Sequence, residues 1–305
     1  MPAQDLVLLT TKLYIPLPRP KLVQRPHLIE QLHDGLRRGH RLTLVSAPPG
    51  FGKTTLVSEW VCASPREIAW ISLDEGDNDP VQFLNYLVAA LQQVDGRIGR
   101  AIQPVLESPG FAPAGTASIQ SLVAPMINDI AAASALTLVL DDYQLITAEP
   151  VHQIVRFLLE RQPPLMHTVL NTRQDPPLPL HQWRARGQIT EIRERDLRFS
   201  VAEATAFLNE TMGLDLSPDS VAALEARTEG WIAGLQLAAL ALQQDPGDTG
   251  KFIVSFTGDD RYVAGYLVAE VLQRQPEQVR DFLRQTAILD RLTAPLCDAV
   301  RLGED

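Results

Sequence analysis

Apolar positions along the chain follow two regimes that change near residue 195. Before that point, short apolar runs alternate with helical patterns. The runs "RLTLVSA" (41–47), "EIAWISLD" (67–74), "LTLVLDD" (136–142), "MHTVLNTR" (166–173) and Gln188–Arg193 read as five strands. The third is apolar on both faces, as a central parallel strand is. Between them, "RPHLIEQLHDGLRRG" predicts a helix with Pro26 in its first turn, Leu28, Ile29, Leu32 and Leu36 as apolar positions, Arg37 and Arg38 in its last turn and Gly39 as a stop. "KTTLVSEWVCAS" is a second helix. "NDPVQFLNYLVAALQQV" is a third, capped by Asp79, with Phe83, Leu84, Leu87, Val88 and Leu91 on one face. Further helices are expected over 119–133 and from "VHQIVRFLLERQPP". Residues 1–25 read as extended and 95–118 as a loop. Alternation of strand and helix predicts an α/β unit: a parallel sheet flanked by helices on both faces.

After residue 195 the pattern is helical throughout. "SVAEATAFLNETMG", "SPDSVAALEARTEG" and "WIAGLQLAALALQQ" follow one another, with Ser200 and Ser217 as caps and Gly213 and Gly230 as stops. "RYVAGYLVAEVLQR", "PEQVRDFLRQTAIL" and "TAPLCDAV" continue the series. The expected organisation is 1–40 (an N-terminal segment and helix), 41–195 (the α/β unit), 196–247 (a helical domain) and 248–305 (a further unit).

Composition narrows the function. At 45% hydrophobic and 21% charged residues the chain is ordinary globular protein. Its formal charge of −10 argues against a DNA-binding surface of its own, because phosphate contacts need clustered Lys and Arg. Cys62 and Cys297 are far apart, giving neither a disulfide framework nor a zinc pattern. No signal peptide and no apolar run of bilayer length is evident. The expectation is a soluble, cytoplasmic protein with no membrane partner.

The candidate chemistry sits in "APPGFGKT", Ala47–Thr54, between the first strand and the second helix. The phosphate-loop pattern is G-x-x-x-x-G-K-[ST], here with Ala47 in the first glycine position. Gly50 and Gly52 keep the turn thin, so backbone N–H groups of Pro49–Thr55 (Gly50, Phe51, Gly52, Lys53, Thr54 and Thr55, since proline has none) can face phosphate oxygens at a helix N-terminus. Lys53 is the expected contact to the β- and γ-phosphates, and the Thr54 hydroxyl a ligand of Mg²⁺. Asp141 and Asp142 end the third strand, where Asp141 would hold the metal and Asp142 would orient or deprotonate an attacking water. Arg173 ends the fourth strand on the side where open α/β sheets bind ligands; by position alone it is either a phosphate contact or a surface arginine. The six histidines show no metal-ligand spacing. The acidic stretch Asp74–Asp79 lacks the spacing of a calcium loop and reads as turns and helix caps.

Together, "APPGFGKTTLVSEW", "IAWISLDEGDNDPVQFLNYLVAAL", "LVLDDYQLI", "NTRQDPPLPLHQWRARGQITEI", "DLRFSVAEATAFL", "GWIAGLQLAALAL" and "FTGDDRYVAGYLVAEVL" resemble the N-terminal part of the MalT-like large LuxR-type transcriptional regulators, in the STAND class of P-loop NTPases. The similarity runs from about Leu9 to Val300. It implies a nucleotide-binding domain, a helical domain and the start of a winged-helix domain at 248–305. It implies ATP or ADP with Mg²⁺ as ligands, ATP-dependent self-association of the full-length protein, and DNA contact only through a C-terminal domain that this chain lacks. Hydrolysis in such proteins resets a switch. Arg173 falls at the position of the family's nucleotide-sensing arginine, and Val23 and Arg25 fall in the segment beside the adenine. "GLQLA" resembles the G-x-P motif of related switch ATPases, with Gly234 keeping the motif's turn and Gln236 in place of proline. The family's later histidine at the β-phosphate has no counterpart. The competing expectations are a stand-alone P-loop ATPase, whose turnover is its purpose, and an inert scaffold that keeps the motif without binding nucleotide.

Overall fold

The computed structural model describes residues 8–17, 21–108, 116–244, 250, 252–253, 256, 261–273, 275–289 and 291–300. The chain divides into two compact units, Met1–Phe199 and Ser200–Asp305. The expected boundary at 247–248 falls outside the described residues.

The first unit is built on five parallel strands: β1 (Leu42–Ser46), β2 (Glu67–Ser72), β3 (Leu136–Asp141), β4 (Met166–Thr172) and β5 (Ile189–Arg193). Their order across the sheet is β2-β3-β4-β1-β5. Every residue of β1, β3 and β4 is buried, whereas edge strand β5 alternates. This is the burial expected when helices cover both faces of a parallel sheet. All five strands lie within the stretches read from the sequence.

Helix α1 (Pro26–Arg37) starts on Pro26, and Gly39 after it takes a left-handed φ of 71°, as the stop requires. A Cβ on Gly35 would sit 1.9 Å from Thr190 Oγ1, so the helix approaches β5 more closely than alanine would allow. Helix α2 (Lys53–Cys62) follows β1 directly. Helix α3 (Pro80–Val94) is capped by Asp79, whose Oδ1 accepts from Val81 N–H at 2.8 Å and Gln82 N–H at 2.9 Å. All five residues assigned to its apolar face are buried.

Three stretches differ from the sequence reading. The loop at 95–118 contains a helical turn, Gln103–Leu106, and the next helix begins at Thr116 and ends at Ala131. Ile98, Ile102 and Leu106 join the main core, which gives this glycine- and proline-rich stretch a buried side. Among the described residues of the N-terminal segment, Thr10–Leu13 form a 3₁₀ turn. Its Lys12 is buried against Asp77 (2.5 Å), Asp74 (3.0 Å) and the Tyr86 ring (4.1 Å to the centroid). The acidic stretch therefore makes caps, as expected, and also a buried ion pair.

In the second unit the helices follow the predicted order: Val201–Thr205, Pro218–Thr228, Ile232–Gln244, Arg261–Leu267, Glu277–Thr286 and Ala294–Val300. Ser200 and Ser217 cap as anticipated. Two helices widen into π-helical turns, Ala206–Thr211 and Val268–Leu272, which a 3.6-residue period does not reveal. At the 228–231 corner, Glu229 and Gly230 are both left-handed (φ 51° and 68°), so the stop involves two residues and not Gly230 alone.

Candidate functional site

The carboxyl ends of β1, β3 and β4 lie side by side, the place where open parallel sheets bind ligands. After Ser46, the Ala47 N–H donates to Thr172 O at 3.3 Å, so the turn leaves β1 while still bonded to β4. Gly50 and Gly52 take φ of 82° and 75°, a region that glycine enters without steric cost. Gly52 is the N-cap of α2, and no side chain caps that helix. The N–H groups and positive dipole end of α2 are thus left to an anion.

Lys53 is the first residue of α2, and its Nζ donates back across the turn to Pro48 O at 3.1 Å. Burial lowers its pKa to about 8; the Asp142 charge raises it, Arg173 lowers it and Asp141 raises it.

Thr54, one residue on, donates its hydroxyl to Asp141 Oδ1 at 3.1 Å. Asp141 ends β3 and is buried. The β3–β4 register pairs Leu140 with Leu170, which brings Asp141 beside Asn171. Asn171 Nδ2 donates to Asp141 Oδ1 at 2.5 Å and to Thr54 Oγ1 at 3.2 Å. Asp142 N–H adds a further bond to Asp141 Oδ1 at 3.1 Å. Burial, and then the Asp142 charge, push the Asp141 carboxyl up to about 6, against the lowering effect of these hydrogen bonds.

Asp142 follows in a left-handed conformation, φ 57°. Gln144 ties it to the end of β4: Nε2 donates to Asp142 Oδ1 at 2.8 Å, and Oε1 accepts from Arg173 N–H at 3.1 Å. Arg173 lines an open cleft of 520 Å³ with Ala47, Pro48, Arg193 and Arg195. Arg184, read from the sequence as a weaker candidate, forms surface ion pairs with Asp175 at 2.9 Å and Glu191 at 2.8 Å.

The structure thus brings together Lys53, Thr54, Asp141, Asp142 and Arg173, with Pro49–Thr55 forming the turn and first helical residues. Phe51 is buried and Thr55 is exposed. Arg25 is buried and directs its guanidinium to backbone carbonyls: Nη1 to Leu197 O at 2.8 Å, Nη2 to Arg198 O at 3.0 Å and to Asp196 O at 3.1 Å. It also stacks on Phe199, 5.1 Å from the ring centroid. Val23 is half-buried two residues before it. Gly234 belongs to the second unit and lies inside helix Ile232–Gln244; the turn expected there is absent. A Cβ on it would come within 2.6 Å of Trp231, which explains glycine by packing.

Sequence reading missed Asn171 and Gln144. The signal for Asn171 was available: a polar amide, uncommon in strands, inside a run of seven buried positions. Gln144 carried none, since its part depends on where β3 and β4 end in space.

The donor set fits a nucleotide phosphate with Mg²⁺. The helix end is uncapped, a buried cation faces it, and hard oxygens of Thr54 and Asp141 lie together. Among the described residues no group of three or more His, Cys, Asp or Glu could hold a metal ion. One carboxylate and one hydroxyl suit Mg²⁺, which keeps several waters and shares phosphate oxygens. No helix among the described residues is long and apolar enough to cross a membrane.

Residues 21–170 match the AAA ATPase domain family and residues 268–305 the MalT winged helix domain family. The HTH-type transcriptional regulator MalT of Cronobacter sakazakii is 34% identical over 301 residues, 98% of this chain and 32% of that protein. MalT of Klebsiella pneumoniae subsp. pneumoniae is 33% identical over 285 residues, 93% of this chain and 31% of that protein. The chain spans roughly a third of the length of these curated relatives. Among solved structures, a Walker-type ATPase of Pyrococcus abyssi shares the fold with a TM-score of 0.56 at 14% identity, covering 92% of this chain and 84% of that one. A STAND protein with a tetratricopeptide repeat sensor from Pyrococcus horikoshii gives 0.50 at 16% identity, covering 90% and 36%. The chain thus resembles the MalT regulators over nearly all of its own length, and its matches to an AAA ATPase domain and a MalT winged helix domain fall in that order along it.

Proposed function

We propose that this chain binds ATP and ADP as the switch module of a MalT-like transcription activator. One observation supports the reading above others: Thr54, Asp141 and Asn171 converge behind a glycine turn whose following helix has no side-chain cap. In this reading the N–H groups of the Pro49–Thr55 turn hold the phosphates and Lys53 neutralises the β- and γ-phosphates. Thr54 and Asp141 hold Mg²⁺, which when bound screens phosphate charge. Asp142, fixed by Gln144, orients a water for slow hydrolysis, and Arg173 senses the γ-phosphate. Val23 lies on the adenine side. Arg25 fixes the 196–199 segment beside it and does not itself meet the base, because its guanidinium is occupied by carbonyls.

We assign residues 1–40 to the adenine-side segment, 41–195 to the nucleotide-binding domain, 196–247 to the helical domain and 248–305 to winged-helix sequence. In the full-length regulator the ATP form self-associates, and DNA is met through a C-terminal domain outside this chain. Similarity to transcription regulators supports a cytoplasmic setting. The test is ATP turnover by the purified chain. A switch hydrolyses ATP well below one per second and retains ADP. Turnover near the ~10 per second of ordinary enzymes would favour a stand-alone ATPase instead.

A further inference from the structure

Asn171 has a feature that neither packing nor strand pairing explains. Its side chain is buried, in a strand with no exposed position. Its Nδ2 bonds two of the residues expected to hold the metal, yet its Oδ1 is buried with no hydrogen-bond partner. Turning the amide over does not help. It would set an oxygen 2.5 Å from Asp141 Oδ1, acceptor against acceptor. The donor end is therefore fixed on Asp141 and Thr54, and the acceptor end has nothing to accept from. A buried carbonyl oxygen without a partner is costly and uncommon in folded proteins.

We infer that Asn171 is a positioning residue for Mg²⁺, through both ends of its amide. The Nδ2 end holds the Asp141 carboxylate and the Thr54 oxygen in hydrogen-bond contact. The Thr54 hydroxyl donates to Asp141 and accepts from Asn171, which leaves it one lone pair for the ion. The Oδ1 end would accept a hydrogen bond from a water carried by the ion. Mg²⁺ retains several waters when protein-bound, and each such water is a strong donor, the partner that Oδ1 lacks. Asn171 touches neither phosphate nor base, so its effect on nucleotide affinity runs through the metal alone.

The inference rests on the nucleotide reading above, and the experiment separates the two. ADP affinity is measured by titration calorimetry with excess Mg²⁺ and with EDTA, for the wild-type chain, Asn171→Leu and Asn171→Ser. In wild type, Mg²⁺ tightens ADP binding. In Asn171→Leu that tightening shrinks at least tenfold, while the EDTA affinity stays within about twofold, because only the ion's second support is lost. Asn171→Ser, which folds if leucine crowds the strand, has a hydroxyl too short to span both oxygens and also loses much of the tightening. Variants that bind ADP with the wild-type response to Mg²⁺ would overturn the role of Asn171 and leave the nucleotide reading intact. Equal weakening with and without Mg²⁺ would also overturn it, since that reports a distorted loop. A wild-type chain that bound no ADP in either condition would overturn the nucleotide reading and this inference with it.

Discussion

Replacing Lys53 by methionine should make the nucleotide-free protein more stable while abolishing nucleotide binding. The lysine is buried, and its pKa falls from 10.5 to about 8, with burial as the main cause. At about 1.4 kcal/mol per pH unit, that depression costs the folded state roughly 3 kcal/mol at pH 7, where the lysine is charged. Methionine keeps the unbranched packing and removes the charge. It forfeits the Lys53 bond to Pro48 O, worth about 1 kcal/mol, which leaves a net gain of about 2 kcal/mol. The gain should depend on pH. A depressed lysine makes the unfolded state bind more protons between pH 8 and 10.5, so wild-type stability rises across that window and the difference from Lys53→Met disappears. Urea unfolding at pH 7 and pH 10 measures this, with ADP·Mg²⁺ present in a parallel series. A tight ligand stabilises wild type by RT ln(1 + [L]/Kd) and should leave Lys53→Met unchanged. A variant less stable than wild type without nucleotide would refute the view that Lys53 is kept at a cost to the fold in order to meet phosphate.

Two predictions concern the scaffold that holds the site. His167 is buried and neutral: its Nδ1 bonds His40 O at 2.9 Å and its Nε2 bonds Thr43 Oγ1 at 2.9 Å, so a single neutral tautomer satisfies both. Burial lowers its pKa from 6.5 to about 4, so the unfolded chain binds a proton that the folded chain refuses, and stability falls as pH drops from about 6.5 to 4, by up to ~3 kcal/mol. Chemical unfolding across that range should show the loss in wild type, and His167→Gln should flatten it; the same acid slope in both would contradict the assignment. Gly35→Ala should destabilise the first unit by about 1–3 kcal/mol through the Thr190 contact, despite alanine's better helix propensity. Unchanged thermal stability would show that α1 can move away from β5 without cost.

Much of the architecture was legible because local and global signals agree. Pro26, Asp79, Ser200 and Ser217 each mark a helix start that the structure keeps. The buried strands β1 and β3 are largely apolar runs, whereas β4 is equally buried although His167, Thr168, Asn171 and Thr172 are polar. The site was legible as far as its chemistry lies in contiguous residues: the glycine turn, Lys53 and Thr54, and the paired acids at the end of β3. What failed to show depends on space. Strand order puts β4 between β1 and β3, and only that order makes Asn171 a neighbour of both Thr54 and Asp141. Arg25 looked like an adenine contact by resemblance, yet its charge goes to the carbonyls of a segment some 170 residues away. Gly234 looked like a turn glycine, and its lack of a side chain instead makes room for Trp231. The π-helical turns keep the hydrophobic pattern while changing the backbone, so periodicity could not find them.

The most direct test of the account is equilibrium binding of labelled ADP to the purified wild-type chain in the presence of Mg²⁺, with Lys53→Met alongside. The account predicts one site per chain in wild type and none in the variant. No binding by the wild-type chain, or equal binding by both, would contradict it.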